Sequence, residues 1–377
     1  MATESTTCDS PAQAVALLEK LYAQQIEITA ARFRRYATAK LASDDRQQGL
    51  YPQISVEIPA DQATETSHLA SGHLADINTY CTTITEPKLY RTYLLDQLQR
   101  IATTFTAKIR VELSDTPIPL AFALEDAGAG LDRAKKEKLP NYFHTPNLVK
   151  TNDEIVDGGQ IFQGEEASAL ALFTAERVDY SLHRIRHYCA TDPEHFQPFI
   201  LFTNYQRYVD EFIEHGLAEV KSGKATKLVE PGNRITGHDG KPSAPPIAKP
   251  PQMPAYHLVR GDGRPGVTLV NIGVGPSNAK TITDHLAVLR PHVWLMIGHC
   301  GALRRTQRLG DYVLAHAYLR DDNVLDDVLP PSIPLPTIAE VQLALTQAVQ
   351  EETGIDKSRL KQQLRTGTVV TTGDRNW

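Results

Sequence analysis

Two glycine-rich breaks are placed where chemistry could be done: Gly273-Val274-Gly275-Pro276-Ser277-Asn278-Ala279-Lys280-Thr281 and Gly298-His299-Cys300-Gly301. The first delivers free backbone N–H groups at the start of a helix, which suits an anion or sugar hydroxyls, and Asn278 adds a side-chain amide. It fits neither of the two commoner nucleotide loops. A P-loop has glycine where this chain has Ala279 and Val274; the dinucleotide fingerprint has a third glycine where it has Asn278, and an acid about 20 residues on, where the chain runs through Pro291 and His292. In the second break, Cys300 is read as a small residue beside Gly301 that lets backbone approach a ligand closely, rather than as a nucleophile. His299, a polar ring at the mouth of a sheet, is read as a ligand contact. His183 and His187 share one helical face, a spacing a metal can use, but Arg184 and Arg186 flank them and no carboxylate has matching spacing. They are read as a polar face, and no metal site is expected.

The elements that must position the two breaks are legible around them. Apolar runs at residues 267–272 and 293–297 enclose a helical stretch at 277–289, a strand, helix, strand unit of parallel type. Both runs are apolar on consecutive residues, as strands covered on both faces are. Their carboxyl ends are expected to open side by side at one sheet edge, where α/β proteins bind ligands.

At 377 residues the chain exceeds one usual core, so two domains are expected, over residues 1–189 and 190–377. A formal net charge of −6, with no block of Lys or Arg, argues against nucleic acid and against an anionic membrane surface as partners. Cys8, Cys81, Cys189 and Cys300 lack C-x-x-C spacing, so neither zinc nor a disulfide framework is indicated. The amino terminus has no signal-peptide pattern, and no run approaches the roughly 20 apolar residues of a membrane span. A cytoplasmic, metabolite-directed enzyme is the expectation.

Taken in order, Ser10-Pro11-Ala12-Gln13 marks the start of a helix running toward Tyr36. Residues 53–58 and 80–85 alternate β-branched and polar types, as a half-buried antiparallel sheet does. Residues 88–104 are helical, 107–113 form a strand, and a helix over 175–188 closes this α+β domain. A new strand begins at Phe199-Ile200-Leu201-Phe202 and leads through Asn204 into a helix. Residues 230–254, dense in Pro and Gly, read as an exposed loop. Residues 256–260 pair with 267–272 around Gly261-Asp262-Gly263. Residues 312–319 form another strand, Thr337 and Glu340 cap a helix from 338 to about 352, and 366–372 form the last strand, parallel and central in its sheet.

These stretches carry a resemblance. GVGPSNAK and IGHCGAL, followed by GDYVLAHAYLRDDNVLD and IPLPTIAEVQLAL, resemble the purine nucleoside phosphorylase and nucleosidase superfamily. HFQPFILFTNYQRYVDEF, QMPAYHL, RPHVWLMIGHCG, RTGTVVTTGDRNW and YCTTITEPKLYRTYL resemble its bacterial AMP nucleosidases over nearly the whole chain. The resemblance implies an α/β fold with a nucleoside-phosphorylase-like mixed sheet flanked by helices, preceded by a regulatory α+β domain. It further implies hydrolysis of AMP to adenine and ribose 5-phosphate, activation by MgATP, inhibition by phosphate, no catalytic cofactor, and a homohexamer.

By the same resemblance, Arg207 lies where phosphorylases keep a phosphate-binding arginine, with Asn204 beside it at the substrate site. Two phosphorylase positions are altered: their arginine before the glycine is Met296 here, and their phosphate-contacting serine is His299. Losing a cationic donor weakens a site for attacking phosphate and favours water. Asp374, Asn376 and Trp377 fall where related nucleosidases bind the purine. Family members continue past this Trp into a segment with a ribose-binding Glu and an Asp that protonates purine N7. The resemblance thus implies a chain without its C-terminal part, with adenine release near background, exposed apolar sheet surface and poor solubility. The alternatives are a nucleotide-binding or regulatory remnant without turnover and a nucleoside phosphorylase, the latter disfavoured by Met296 and His299.

Overall fold

A computed structural model describes residues 5–38, 48–59, 79–124, 127–157, 167–261, 263–324, 326–327 and 329–372. The chain divides into two compact units, residues 1–183 and 184–377, with the division inside the helix Ala175–Cys189.

The first unit opens with β1 (Thr6–Cys8) and α1 (Pro11–Ala37). Ser10 caps α1 as the sequence requires, its hydroxyl accepting from the Gln13 amide at 3.2 Å, while Gln13 Oε1 accepts from the Asp9 amide. β2 (Leu50–Glu57), β3 (Thr79–Thr83), α2 (Arg91–Thr104) and β4 (Lys108–Pro117) follow. Then come two short helices, α3 (Leu120–Ala123) and α4 (Arg133–Lys138), the strand β5 (Ala167–Ala169) and α5 (Ala175–Cys189). The sheet order is β1-β4-β2-β3-β5, antiparallel except where β5 joins β3. Ala14, Val15 and Leu18 of α1 and Leu94, Leu98 and Ile101 of α2 close a core over Ile54, Val56, Ile109 and Val111. β2 is more buried than the expected half-buried alternation, because Tyr51 enters a second cluster with Tyr22, Ile118 and Ala175. There Asp179, 3 % exposed, accepts hydrogen bonds from Tyr51 Oη at 2.6 Å and Thr85 Oγ1 at 2.7 Å. Burial first, then the Asp179 charge, holds the Tyr51 phenol far above its ordinary titration range. The ring of His183 packs on Phe122, with centroids 5.1 Å apart.

The second unit contains β6 (Phe199–Thr203), α6 (Gln206–Lys221), β7 (Lys227–Glu230), β8 (Arg234–Thr236), β9 (Ala255–Val259), β10 (Val267–Asn271), α7 (Pro276–Leu286) and β11 (Val293–Ile297). β12 (Tyr312–Asp321), β13 (Leu335–Pro336), α8 (Ala339–Thr353) and β14 (Leu364–Thr372) complete it. A mixed six-stranded sheet has the order β11-β6-β10-β9-β7-β8, and β13-β12-β14 form a separate three-stranded sheet. The β9–β10 pairing is antiparallel, as read from the sequence.

Several expectations are corrected. β10 and β11 do not lie side by side: β6 runs between them, parallel to both. No residue of β11 is fully buried, and Trp294 and Met296 are 39 % and 46 % exposed, because β11 is an edge strand rather than one covered on both faces. β14 does pair in parallel with β12, but at the edge of its sheet, not its centre, and Val370 stays half-exposed. The 230–254 stretch is not wholly loop, since β8 lies in it and forms a hairpin with β7, which ends at its first residue. Thr337 does not cap α8. Its hydroxyl is near the Ala315 and His316 carbonyls at 3.3 and 3.4 Å, and Ile338 occupies the cap position.

Within the six-stranded sheet, His257 of β9 is completely buried, its Nδ1 2.9 Å from Thr268 Oγ1 and its Nε2 2.9 Å from Thr191 Oγ1. Burial, reinforced by the neighbouring His195, holds this imidazole neutral, well below the ordinary histidine range. A group whose folded-state pKa is lowered contributes stability above its unfolded pKa and loses it as pH falls toward the folded one. Stability of this unit should therefore drop from about pH 6.5 downward, by about 1.4 kcal/mol per pH unit for each histidine involved. Urea unfolding between pH 7 and 5 measures this slope. His257→Asn, less stable at neutral pH, should flatten it, and an unchanged slope would show that other groups carry the acid sensitivity.

Candidate functional site

The strands β6, β10 and β11 pair in one register, with Thr203 opposite both Asn271 and Ile297. Their carboxyl ends therefore stop at one level, and the residues that follow, Asn204, Gly273 and Gly298, leave from one edge. The Ile272 amide donates to the Thr203 carbonyl at 2.8 Å and extends this alignment by one residue.

Two helices begin at this edge. Tyr205 occupies the cap position of α6 and Gly275 that of α7, and neither start has a side-chain cap. In α6 the Tyr208 amide turns back to the Tyr205 carbonyl at 3.2 Å, and the amides before it, like those opening α7, face the edge without a side-chain cap, the arrangement that favours anions. Gly273 has φ +67° and Gly275 φ +114°, conformations that residues with a Cβ rarely adopt. Asn278 folds back on this turn, its Nδ2 donating to the Val274 carbonyl at 3.3 Å. Lys280 is ion-paired with Asp284 of its own helix, which agrees with reading this loop as something other than a P-loop.

The break after β11 is bound to the start of α6. His299 packs against Tyr205 with ring centroids 4.2 Å apart and ring planes tilted by 41°, and its Nε2 is 3.0 Å from Tyr208 Oη. A Cβ placed on Gly298 would be 3.9 Å from Asn204 Oδ1 and 3.9 Å from Tyr205 Cε2, ordinary contact distances that place this break against the start of α6. Asn204 Oδ1 is buried and has no hydrogen-bond partner among the described residues. Arg207, in the first turn of α6, is exposed, with its guanidinium 5.6 Å from the Tyr208 ring centroid. Cys300 and Gly301 are exposed beyond His299. Burial first, then Cys300, raises the Tyr318 phenol above its usual value.

Asn204, Arg207 and His299 are thus brought together, with Cys300 and Gly301 beyond His299, and Gly273, Gly275 and Asn278 form the neighbouring turn. Asp374, Asn376 and Trp377 lie outside the described residues. Sequence reading missed Tyr205 and Tyr208 as parts of the site. Their signal was a Tyr-x-x-Tyr pair directly after a strand, which puts both rings on one face of the first helical turn.

Comparison with known proteins bears on this edge. Residues 13–167 match the profile of the bacterial AMP nucleoside phosphorylase N-terminus, and residues 242–377 that of the phosphorylase superfamily. AMP nucleosidase of Escherichia coli K12 is 48 % identical over 378 residues, which cover 98 % of this chain and 78 % of that protein. The chain belongs to the AMP nucleosidase family. The AMP nucleosidase of Escherichia coli O157:H7 gives the same figures. A solved AMP nucleosidase from Bacteroides thetaiotaomicron is 27 % identical, covering 53 % of this chain and 70 % of that one at a TM-score of 0.39. The family's two-part organisation thus coincides with an α+β first unit and an α/β second unit bearing the edge described above.

Gly275→Ala tests whether the α7 turn shapes that edge. The substituted residue must leave φ +114° or carry strain of about 1–3 kcal/mol. A melting temperature lowered by no more than several degrees combined with a raised KM for nucleotide is expected, since the added methyl meets open space and the cost is confined to the turn. An unchanged KM would separate the turn from binding.

Proposed function

We infer that the protein hydrolyses the N-glycosidic bond of AMP, giving adenine and ribose 5-phosphate. The observation that carries this is the 48 % identity to an AMP nucleosidase across nearly the whole chain. The chemistry at the strand ends fits it. Cleavage passes through a ribosyl cation, and the nucleophile that captures it must reach C1′ from the sheet edge. Met296 supplies no charge there, and His299 is engaged by Tyr208 and Tyr205, a setting better suited to water than to a phosphate trianion. Arg207 is the residue assigned to a phosphate, either an inhibitory ion or the nucleotide's own group, because a guanidinium in the first turn of a helix can make a charge-assisted, bidentate contact.

The remaining assignments belong to the same reading. The first domain, to about residue 189, is regulatory; MgATP activates, phosphate inhibits, the assembly is a homohexamer, and the protein works in the cytoplasm in purine salvage. Among the described residues no helix is long and apolar enough to cross a membrane. Asp374, Asn376 and Trp377 are assigned to the purine.

Product analysis in phosphate buffer should find ribose 5-phosphate and adenine; ribose 1,5-bisphosphate would overturn hydrolysis in favour of phosphorolysis. Arg207→Ala should raise the KM for AMP or relieve phosphate inhibition by about tenfold or more, the scale of one charge-assisted contact. If both constants stay at their parent values, Arg207 is a surface residue. Removing residues 10–189 should abolish the response to ATP while some hydrolysis persists. Complete loss of turnover in a folded truncation would show that the first domain contributes to catalysis.

A further inference from the structure

Arg207 is exposed in the first turn of α6, and one turn along the same helix face stands Glu211, an ordinary partner for a helical arginine. No ion pair joins them among the described residues. The guanidinium carbon lies instead 5.6 Å from the centroid of the Tyr208 ring, within the range of a cation–π contact. That ring is itself held. Its hydroxyl is 3.0 Å from His299 Nε2, a bond open to either tautomer of the imidazole, since a phenol can both donate and accept. Tyr205 closes the group, with ring centroids 4.2 Å from His299 and 6.0 Å from Tyr208, while Tyr208 and His299 are 5.8 Å apart. Val209, next in the chain, is completely buried and fixes the rotation of α6 beneath these rings.

We propose that Tyr208 is a positioning residue of the phosphate site: tethered to His299 through its hydroxyl, it holds Arg207 on its ring, keeps it from pairing with Glu211 and leaves the guanidinium set for a phosphate group. This rests on the assignment of Arg207 to a phosphate. An arginine that is to take an anion must be spared by the acids of its own helix, and its long side chain loses much conformational freedom when it is fixed. The ring answers both demands. It attracts the cation without neutralising it, and the guanidinium makes no hydrogen bond among the described residues, so its N–H donors stay available. Asp210, the other acid near this turn, is engaged elsewhere, its Oδ1 accepting from Gln206 Nε2 at 2.9 Å. The tether to His299 also makes the break after β11 part of the support of the phosphate site.

Titration of the protein with inorganic phosphate, followed by phosphorus NMR, tests this without turnover. Arg207→Ala should weaken binding about tenfold or more, the scale of one charge-assisted contact. Tyr208→Leu should raise the dissociation constant about two- to fivefold, the scale of an exposed cation–π contact. Tyr208→Phe, which keeps the ring and loses its tether, should fall between the parent protein and Tyr208→Leu. In an Arg207→Ala background Tyr208→Leu should cost nothing further, because its effect passes through Arg207, whereas a general disturbance of the fold would weaken both backgrounds alike. Glu211→Gln should restore more affinity to Tyr208→Leu than it adds to the parent protein, since only without the ring does the arginine turn to that acid. The proposal is overturned if Tyr208→Leu binds phosphate as tightly as the parent, if its cost persists with Arg207 removed, or if Glu211→Gln acts equally in both. If the parent binds no phosphate, or Arg207→Ala binds it as the parent does, the assignment of Arg207 itself fails, and the proposal falls with it.

Discussion

The parallel pairing of β6 with β10 on one side and β11 on the other is the constraint on which the candidate site depends. Thr203 stands opposite Asn271 and Ile297 at once, so three strands reach their carboxyl ends at the same level. A slip of one residue in either pairing would turn every side chain of that strand to the opposite face. It would also move Gly298 away from Asn204, and the Tyr205–His299 contact could not form. Burial fixes this register. Ile200 and Phe202 of β6 and Leu269 and Val270 of β10 are removed from water, and a slipped strand would bring Thr203 or Asn271 into their places.

Polar groups inside both units reinforce this specification. His257 satisfies both ring nitrogens with threonine hydroxyls, one from β10 and one from the segment following α5, so β9 is tied laterally by more than its ladder. Asp179 does the equivalent in the first unit, joining α5 to β2 through Tyr51 and to the segment after β3 through Thr85. Such buried groups contribute modestly to net stability when paired but are costly to leave unpaired. Their effect is to penalise any alternative packing that separates the partners.

How much of this could be read from sequence follows from the range of each interaction. The caps and periodicity of α1, the β9–β10 pair and the β10, α7, β11 unit were legible because each is specified by neighbouring residues. The insertion of β6 between β10 and β11 was not, since nothing in either apolar run states which strand lies beside it. The β7–β8 hairpin was hidden by a Pro- and Gly-rich continuation that outweighs its two short strands. Thr337 carried the letter pattern of a cap, yet its hydroxyl lies against the carbonyls of β12, a tertiary choice overriding a local one. At the site, the glycines and His299 were visible as a break after a strand. Their partners were not, because Tyr208 and His299 are 91 residues apart and meet only through the sheet.

The charge around the strand ends also bears on which nucleophile the edge can accept. Lys280, the cation nearest the α7 turn in sequence, is neutralised by Asp284 within its own helix. Met296 is uncharged and exposed, and Arg207 has no carboxylate partner among the described residues. The guanidinium of Arg207 can bind one phosphate group. A second anion, brought in as nucleophile, would have to share that cation and would be repelled by the phosphate already there. Water makes no such demand. The uncharged Met296 therefore favours water over phosphate as the nucleophile, in keeping with the proposed hydrolysis.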